Sequence, residues 1–436
     1  MSKSLGNVVD PLSVINGRSL SELEQDLKET GGTLMTEKEL QRSLKALKVT
    51  FPNGIPKCGT DALRFSLVHN DPKSQQLNID VQFVNTCASF CNKIWQAARF
   101  FILSHERGKG TYTDDISNHH VSDEKTLDWI TSTYGVLDIE DKWILSRCGV
   151  TVKNMNSYLE SRDFHLASRC LRTFLYTNMC DVYVEAAKPV LNDATNAEFH
   201  IKYNVMKICL ITALKLLHPI MPFITEEIYQ RIRVTTALSE SSELHESIMT
   251  LNYPREEEWE AFISNNIMTD MEVVLEFVTC IRNSKSLYSL KWDDKPDILI
   301  IDRISSADVC FDNKNIIQEY SSLISKLSSC GKVEILQEYI DPETQSDYLL
   351  QVQKWSCTEL PKYNSSVYVN VSEYLDINKE LQKLTNQKTK TLKEFDNLEK
   401  KLEKRKQTIS EVEKQKFTDK FERLSKMENV LNRNIK

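Results

Sequence analysis

Glycine is scarce in this sequence: 11 of 436 residues, with none between Gly149 and Gly331. Average proteins carry roughly 7% glycine. A gap of that length disfavours hairpin-rich folds, whose turns need positive φ, and glycine loops that cradle phosphates. No Gly-x-Gly-x-x-Gly opening occurs, which excludes a dinucleotide-binding unit of the usual kind. The 11 cysteines are spread singly and form no Cys-x-x-Cys pair. Cys87 and Cys91 lie one helical turn apart, but no second pair accompanies them, so both read as core residues and no metal site is expected. Without a secretory hydrophobic segment the thiols are expected to be reduced; the cytoplasm is the expected setting, with mitochondrial use left open. The most apolar stretch, 208–217, is interrupted by Lys215. It is far short of the roughly 20 residues of a membrane span, so no membrane contact is expected.

What is present is ordinary globular material, 41% hydrophobic and 27% charged, long enough for two to four domains. The net charge of -7 hides an asymmetry: residues 376–436 hold 17 Lys+Arg against 11 Asp+Glu, and the remainder 38 against 51. A basic tail on an acidic body points to an anionic partner engaged by one part of the molecule, and a solvated charged helix gives the same count.

Asp10 before Pro11 is an N-cap followed by a proline suited to the first helical position. Short helical patterns follow at 21–29, 36–48 and 60–67, with a loop at 51–56. From Asp80 the residues Val84, Cys87, Ala88, Cys91, Ile94, Trp95, Ala98 and Ile102 recur at three and four, which gives one apolar face. After a polar connection at 105–124, further long helical patterns cover 141–160, 163–187 and 197–217, and another covers 271–287. Long helices with modest loops predict a bundle. Residues 298–301 and 333–336 and the alternation Val367, Val369, Val371 read as strands, with a helix near 316–327 between the first two: a small α+β module. The last segment carries a heptad at Leu381, Leu384, Lys388, Thr391, Phe395, Leu398, Leu402, Arg405, Ile409 and Val412. Its phase shifts before Phe417, Phe421 and Leu424. Two readings stay open, a turn within 404–416 between antiparallel helices and a dimeric coiled coil. The expected fold is therefore mainly α, with a helical bundle, a small α+β module and a helical coiled-coil arm.

The chain opens Met1-Ser2-Lys3-Ser4-Leu5-Gly6-Asn7-Val8-Val9-Asp10-Pro11, and continues with Gly-Ile-Pro-Lys-Cys-Gly-Thr-Asp-Ala-Leu-Arg-Phe at 54–65, Asn-Lys-Ile-Trp at 92–95, Asp-Lys-Trp-Ile at 141–144 and His-Pro-Ile-Met-Pro-Phe-Ile-Thr-Glu-Glu at 218–227. The first string resembles the KMSKS loop of class I aminoacyl-tRNA synthetases, and the others follow in the order of the valine, isoleucine and leucine branch. The run through Phe65 and the heptad arm resemble the valyl-tRNA synthetases, and the insert at 18–57 is similar to their eukaryotic form.

The resemblance implies a valine–tRNA ligase that uses ATP, with Mg2+ carried on the ATP, and valine and its tRNA as partners. It implies Lys3 as the catalytic residue, with Ser2, Lys3 and Ser4 on the ATP phosphates, because a loop of cationic and hydroxyl donors meets the charge that grows there in the transition state. It divides the chain into a signature loop, insert and stem-contact region (1–79), an anticodon-binding bundle (80–290), an α+β junction (291–372) and the coiled-coil arm (373–436). Lys93 and the arm residues Lys400, Lys401, Lys404, Arg405 and Lys406 are the candidate tRNA contacts. Asp61 and Arg64 are expected to brace the loop region on the bundle. Trp95, Trp143 and Pro222 are expected to be core rather than contact. The nucleotide-binding core and the editing domain of the family are not among these residues, so the isolated chain is expected to be inactive. The arm is expected to contact its own chain or other synthetases. The rival readings are a non-catalytic tRNA-binding short form and a coiled-coil scaffold that oligomerises through the arm.

Overall fold

The computed structural model describes residues 10–31, 36–71, 80–109, 123–236, 247–303, 313–338, 355–371, 373–374 and 377–404, with isolated helical residues between 415 and 425. Contacts divide the chain into two compact units, Met1–Met268 and Thr269–Lys436.

In the first unit Asp10 caps α1 (Pro11–Asn16), its carboxylate accepting from the Ser13 amide at 3.0 Å. Helices α2 (Leu20–Gly31) and α3 (Glu37–Thr50) pack on each other, α3 opening on a Thr36–Glu39 capping pair at 2.9 Å. After α4 (Thr60–Val68) comes the long α5 (Val81–Gly108), capped by Asp80. Its buried stripe runs Val84, Cys87, Phe90, Ile94, Ala97 and Phe101, while Cys91 and Trp95 are half-buried at its edge. Burial raises the Cys87 thiol to about 12, so it stays protonated.

A short helix α6 (Asp123–Thr133) stands where the sequence shows only Leu127, Trp129 and Ile130 as apolar residues, too few for a clear stripe. Then come α7 (Ile139–Glu160) and α8 (Phe164–Arg172), which continues through a π-helical stretch, Thr173–Tyr183, into α9 (Val184–Leu191). The expected end at residue 187 is passed, and Pro189 sits inside α9. Helix α10 (Phe199–Leu217) packs against α5, α7, α9 and α11 (Pro222–Thr236), and residues 208–217 are buried on every side, which is why that run is apolar but for Thr212 and Lys215. No helix among the described residues is long and apolar enough to cross a membrane. A single turn, α12 (Glu256–Trp259), precedes α13 (Asn265–Leu287).

The second unit holds a four-stranded sheet built from β1 (Ile298–Arg303), β2 (Val333–Glu338), β3 (Ser356–Leu360) and β4 (Ser365–Val369), in the order β2-β1-β4-β3. Strands β1 and β2 are parallel and are joined through α14 (Asn313–Glu319) and α15 (Ser321–Ser328); the other pairs are antiparallel. The run Ile298-Leu299-Ile300-Ile301 does not alternate because β1 is central and covered on both faces. Leu299 and Ile301 pack with Leu336, Trp355 and Tyr368, while Ile298 and Ile300 pair across with Val369 and Val367. Strand β3, absent from the sequence expectation, is an edge strand of Ser-Cys-Thr-Glu-Leu that shows no apolar alternation. The final helix α16 (Ile377–Lys404) buries Leu384 and Thr391 of the heptad seam. Leu424 is buried too, and the Lys388 ammonium lies 5.2 Å from the Phe421 ring, so the arm folds back on itself. The fold is mainly α, with a bundle and a small α+β module.

Within the bundle lies an ion cluster whose Lys202, Glu140 and Asp141 are buried and whose Asp138 reaches the surface. Lys202 of α10, 1% exposed, donates to Asp138 at 2.9 Å, Glu140 at 3.1 Å and Asp141 at 2.9 Å, all at the start of α7. The Tyr183 hydroxyl, from the π-helical stretch, donates to Asp141 at 2.8 Å. One ammonium among three carboxylates leaves surplus negative charge. Burial, only partly offset by Lys202, raises the Asp141 carboxyl to about 6. Burial alone would lower Lys202, but Asp141 and Glu140 outweigh it and hold the ammonium above its ordinary value. Removing the cation strands buried carboxylates. Lys202→Met is therefore expected to destabilise the bundle by about 3–5 kcal/mol, read as an earlier denaturant midpoint by circular dichroism; an unchanged midpoint would count against this account.

Candidate functional site

Ser2, Lys3 and Ser4 lie outside the described residues, so the site is built from the frame that follows them. Helix α1 starts directly after the signature string and is tied to the segment leading into α4: the Cys58 amide donates to the Val14 carbonyl and the Gly59 amide to the Ile15 carbonyl, each at 3.1 Å. Arg18 and Ile55 exchange a pair of backbone hydrogen bonds at 2.8 Å, which closes the insert at its base. Glycine is required at this closure. Gly54 has φ +77°, and a Cβ there would meet the Arg18 carbonyl oxygen at 2.3 Å.

Helix α4 carries this frame to the bundle through Asp61 and Arg64, one turn apart. Pro222 at the first position of α11 has no amide hydrogen, which leaves the next two amides as unsatisfied donors. The buried Asp61 carboxylate accepts both, from Phe223 at 3.4 Å and Ile224 at 2.6 Å, a cap supplied by another helix. Burial raises the Asp61 carboxyl despite these amides. Arg64 donates to the Ile220 carbonyl at 2.9 Å and the Pro219 carbonyl at 3.2 Å, in the turn after α10. In the same turn His218 Nδ1 lies 2.7 Å from the Thr225 hydroxyl. The motif at 218–227 is thus a helix–turn–helix corner, and both residues expected to brace it do so.

Other sequence candidates take distinct places. Lys93 is ion-paired with Asp181, and its ammonium lies 3.3 Å from the centroid of the Tyr176 ring, on the π-helical stretch. Trp143 is wholly buried, whereas Trp95 is half-buried under the Arg231 guanidinium at 5.0 Å. Lys400, Lys401 and Lys404 fall on the last turns of α16, and Arg405 and Lys406 lie outside the described residues. Among the described residues no cluster of His, Cys, Asp or Glu is arranged to hold a metal. Lys202 and Tyr183 have no sequence signal of their own; the only pointer to them is Asp141 in the Asp-Lys-Trp-Ile string.

Residues 1–80 match the family described as tRNA synthetases class I (I, L, M and V), and residues 141–300 match the anticodon-binding domain of tRNA ligase. Among curated proteins the chain is similar to a valine–tRNA ligase of Caenorhabditis elegans, 32% identical over 88% of this chain and 33% of that protein. It is 30% identical to mitochondrial valine–tRNA ligase 1 of Arabidopsis thaliana, over 92% of this chain and 33% of that protein. With a valine–tRNA ligase of Rattus norvegicus it shares 30% identity, over 77% and 24% respectively. The chain spans about a third or less of the length of these relatives. Loop string, braced corner and bundle follow one another along the chain as the two family matches do, and the chain is similar to one part of the class I tRNA synthetases, the valine–tRNA ligases among them.

Proposed function

We propose that the chain supplies the ATP-phosphate loop and the tRNA-binding parts of a valine–tRNA ligase. The observation that supports this reading is the set of contacts that ties α1, which follows the signature string in sequence, through the segment before α4 to the corner at 218–227, held by Asp61 and Arg64. In this reading residues 1–79 serve as loop and stem contact, 80–290 bind the anticodon end, 291–372 form a junction and 373–436 the arm. The reaction joins the valine carboxylate to the α-phosphate of a magnesium–ATP substrate, releases pyrophosphate, and then passes the aminoacyl group to a hydroxyl of the tRNA's terminal ribose with release of AMP. Negative charge moves onto the phosphate oxygens as the bond to pyrophosphate breaks. Lys3, with Ser2 and Ser4 beside it, meets that charge more strongly than it meets bound ATP, which lowers the barrier rather than only tightening substrate binding. Gly6 lets the loop backbone come close to the triphosphate.

Lys400, Lys401, Lys404, Arg405 and Lys406 act on the tRNA phosphates, a contact that releases counterions and weakens with salt. Lys93, committed to Asp181 and Tyr176, contributes by holding the bundle surface next to the tRNA.

Three measurements test the proposal. The purified 436-residue polypeptide is expected to give no valine-dependent ATP–pyrophosphate exchange, since its four-stranded mixed sheet is no nucleotide fold; measurable exchange would contradict this. In the complete ligase, Lys3→Ala is expected to slow adenylate formation by about 100-fold or more with tRNA affinity little changed, and equal losses in both would give the loop another role. Deleting residues 376–436 should weaken tRNA binding and flatten its dependence on salt, whereas an unchanged affinity would leave the arm a purely structural part.

A further inference from the structure

The unit Thr269–Lys436 displays an aromatic side chain that its core does not use. Trp292, in the turn between α13 and β1, is 56% exposed, yet it is firmly held. Its carbonyl accepts from the Ser329 hydroxyl at 2.7 Å. The Arg282 guanidinium and the Lys285 ammonium lie 5.7 and 5.8 Å from its ring. Both cations are anchored in turn: Arg282 Nε donates to the Leu327 carbonyl at 3.0 Å, and Lys285 to the carbonyls of Asp294 at 2.7 Å and Ser329 at 2.6 Å. The indole is thus oriented by fixed charges and left open to solvent.

The ring lines a surface cleft of about 480 Å³ with Arg282, Lys285, Ser289 and Lys291; no acid is among the described residues that line it, although Asp293 is exposed beside it and the Asp294 carboxylate accepts from the Lys291 amide at 2.7 Å. At the cleft's edge Lys383 of α16 reaches the Ser289 hydroxyl at 3.4 Å. Lys383 also lines a second groove, about 420 Å³, with Lys379, Gln382, Asn386, Gln387 and Lys390, and no acid is among the described residues that line it. The two grooves adjoin at the Lys383–Ser289 contact and together offer a flat π-face, a row of lysines and side-chain amides able both to donate and to accept. That combination suits unpaired nucleotides. Stacking on an aromatic is tolerant of base identity, lysines follow the phosphates, and amides meet base and sugar edges.

We propose that this pair of grooves is an RNA contact, in which Trp292 stacks on an unpaired base of the tRNA and Lys291, Lys379, Lys383 and Lys390 follow the adjoining backbone. The proposal deepens the reading above, on which it rests, by naming a surface and the class of nucleotide it takes.

The test is fluorescence anisotropy of a labelled valine tRNA transcript titrated with the full chain, at several salt concentrations. Trp292→Ala is expected to lower affinity roughly 5- to 150-fold with the salt slope kept, and Trp292→Phe to recover most of the loss. Lys291→Glu, at an exposed position, should weaken binding and flatten the slope. Thermal melts of each variant confirm that it is folded, and should Trp292→Ala not fold, Trp292→Phe with Lys291→Glu decides the question. Wild-type affinity in both Trp292→Ala and Lys291→Glu, with the wild type binding well, overturns this inference alone. Equal losses in Trp292→Ala and Trp292→Phe overturn stacking. No binding by the wild type overturns the reading of the chain as tRNA-binding, and this inference with it.

Discussion

A single buried ammonium fixes how the helices of the bundle meet. Lys202 projects from α10 into the start of α7, and Asp141, which it binds, is also held by Tyr183 from the π-helical stretch. Three segments distant in sequence therefore share one polar knot inside an otherwise apolar core. Apolar packing alone would accept many small rotations of α10, most of whose buried side chains are hydrophobic. The knot accepts one, because any slip of a turn would leave carboxylates buried without a cation. The acidic first turn of α7 also faces that helix's own positive end, which favours the same arrangement.

From this core the order of the structure runs outward to the corner at 218–227. There α4 holds a helix start with a carboxylate and a preceding turn with a guanidinium, each matched in sign to the backbone dipoles it meets. Since α1 and the insert's base are bonded to the segment just before α4, these described pieces are tied to one another by main-chain hydrogen bonds. The hydrogen bonds at each step are largely to backbone, so the path depends on main-chain position more than on side-chain packing.

Much of this was legible in the sequence, for reasons that differ by element. The long helices declare themselves by three- and four-residue spacing, and α5 only shifts its stripe toward Phe90, Ala97 and Phe101. Asp61 and Arg64 were legible through motif order, and their partners are main-chain groups that no side-chain pattern displays. Helix α11 was obscured by two prolines that read as a turn, although one of them is its first residue. Strand β3 was obscured because an edge strand takes its register from β4 rather than from apolar alternation of its own. Lys202 was obscured because a lysine in a helix reads as solvent-facing until its partners, some sixty residues earlier, are brought to it.

The arm that folds back on itself sets two electrostatic distances against each other. Helix α16 is 28 residues long, and at about 1.5 Å per residue the basic run beginning at Lys400 stands roughly 25 Å along the helix from Lys383. The screening length in physiological salt is about 8 Å. The lysines near the base of the arm and the basic run towards its tip are therefore out of each other's field, and neither raises the local potential at the other. A polyanion lying along the arm would meet two separate basic stations with a net acidic interval, residues 391–399, between them. Its grip would come from linking both ends at once, so that length and curvature of the anion would count as much as its charge.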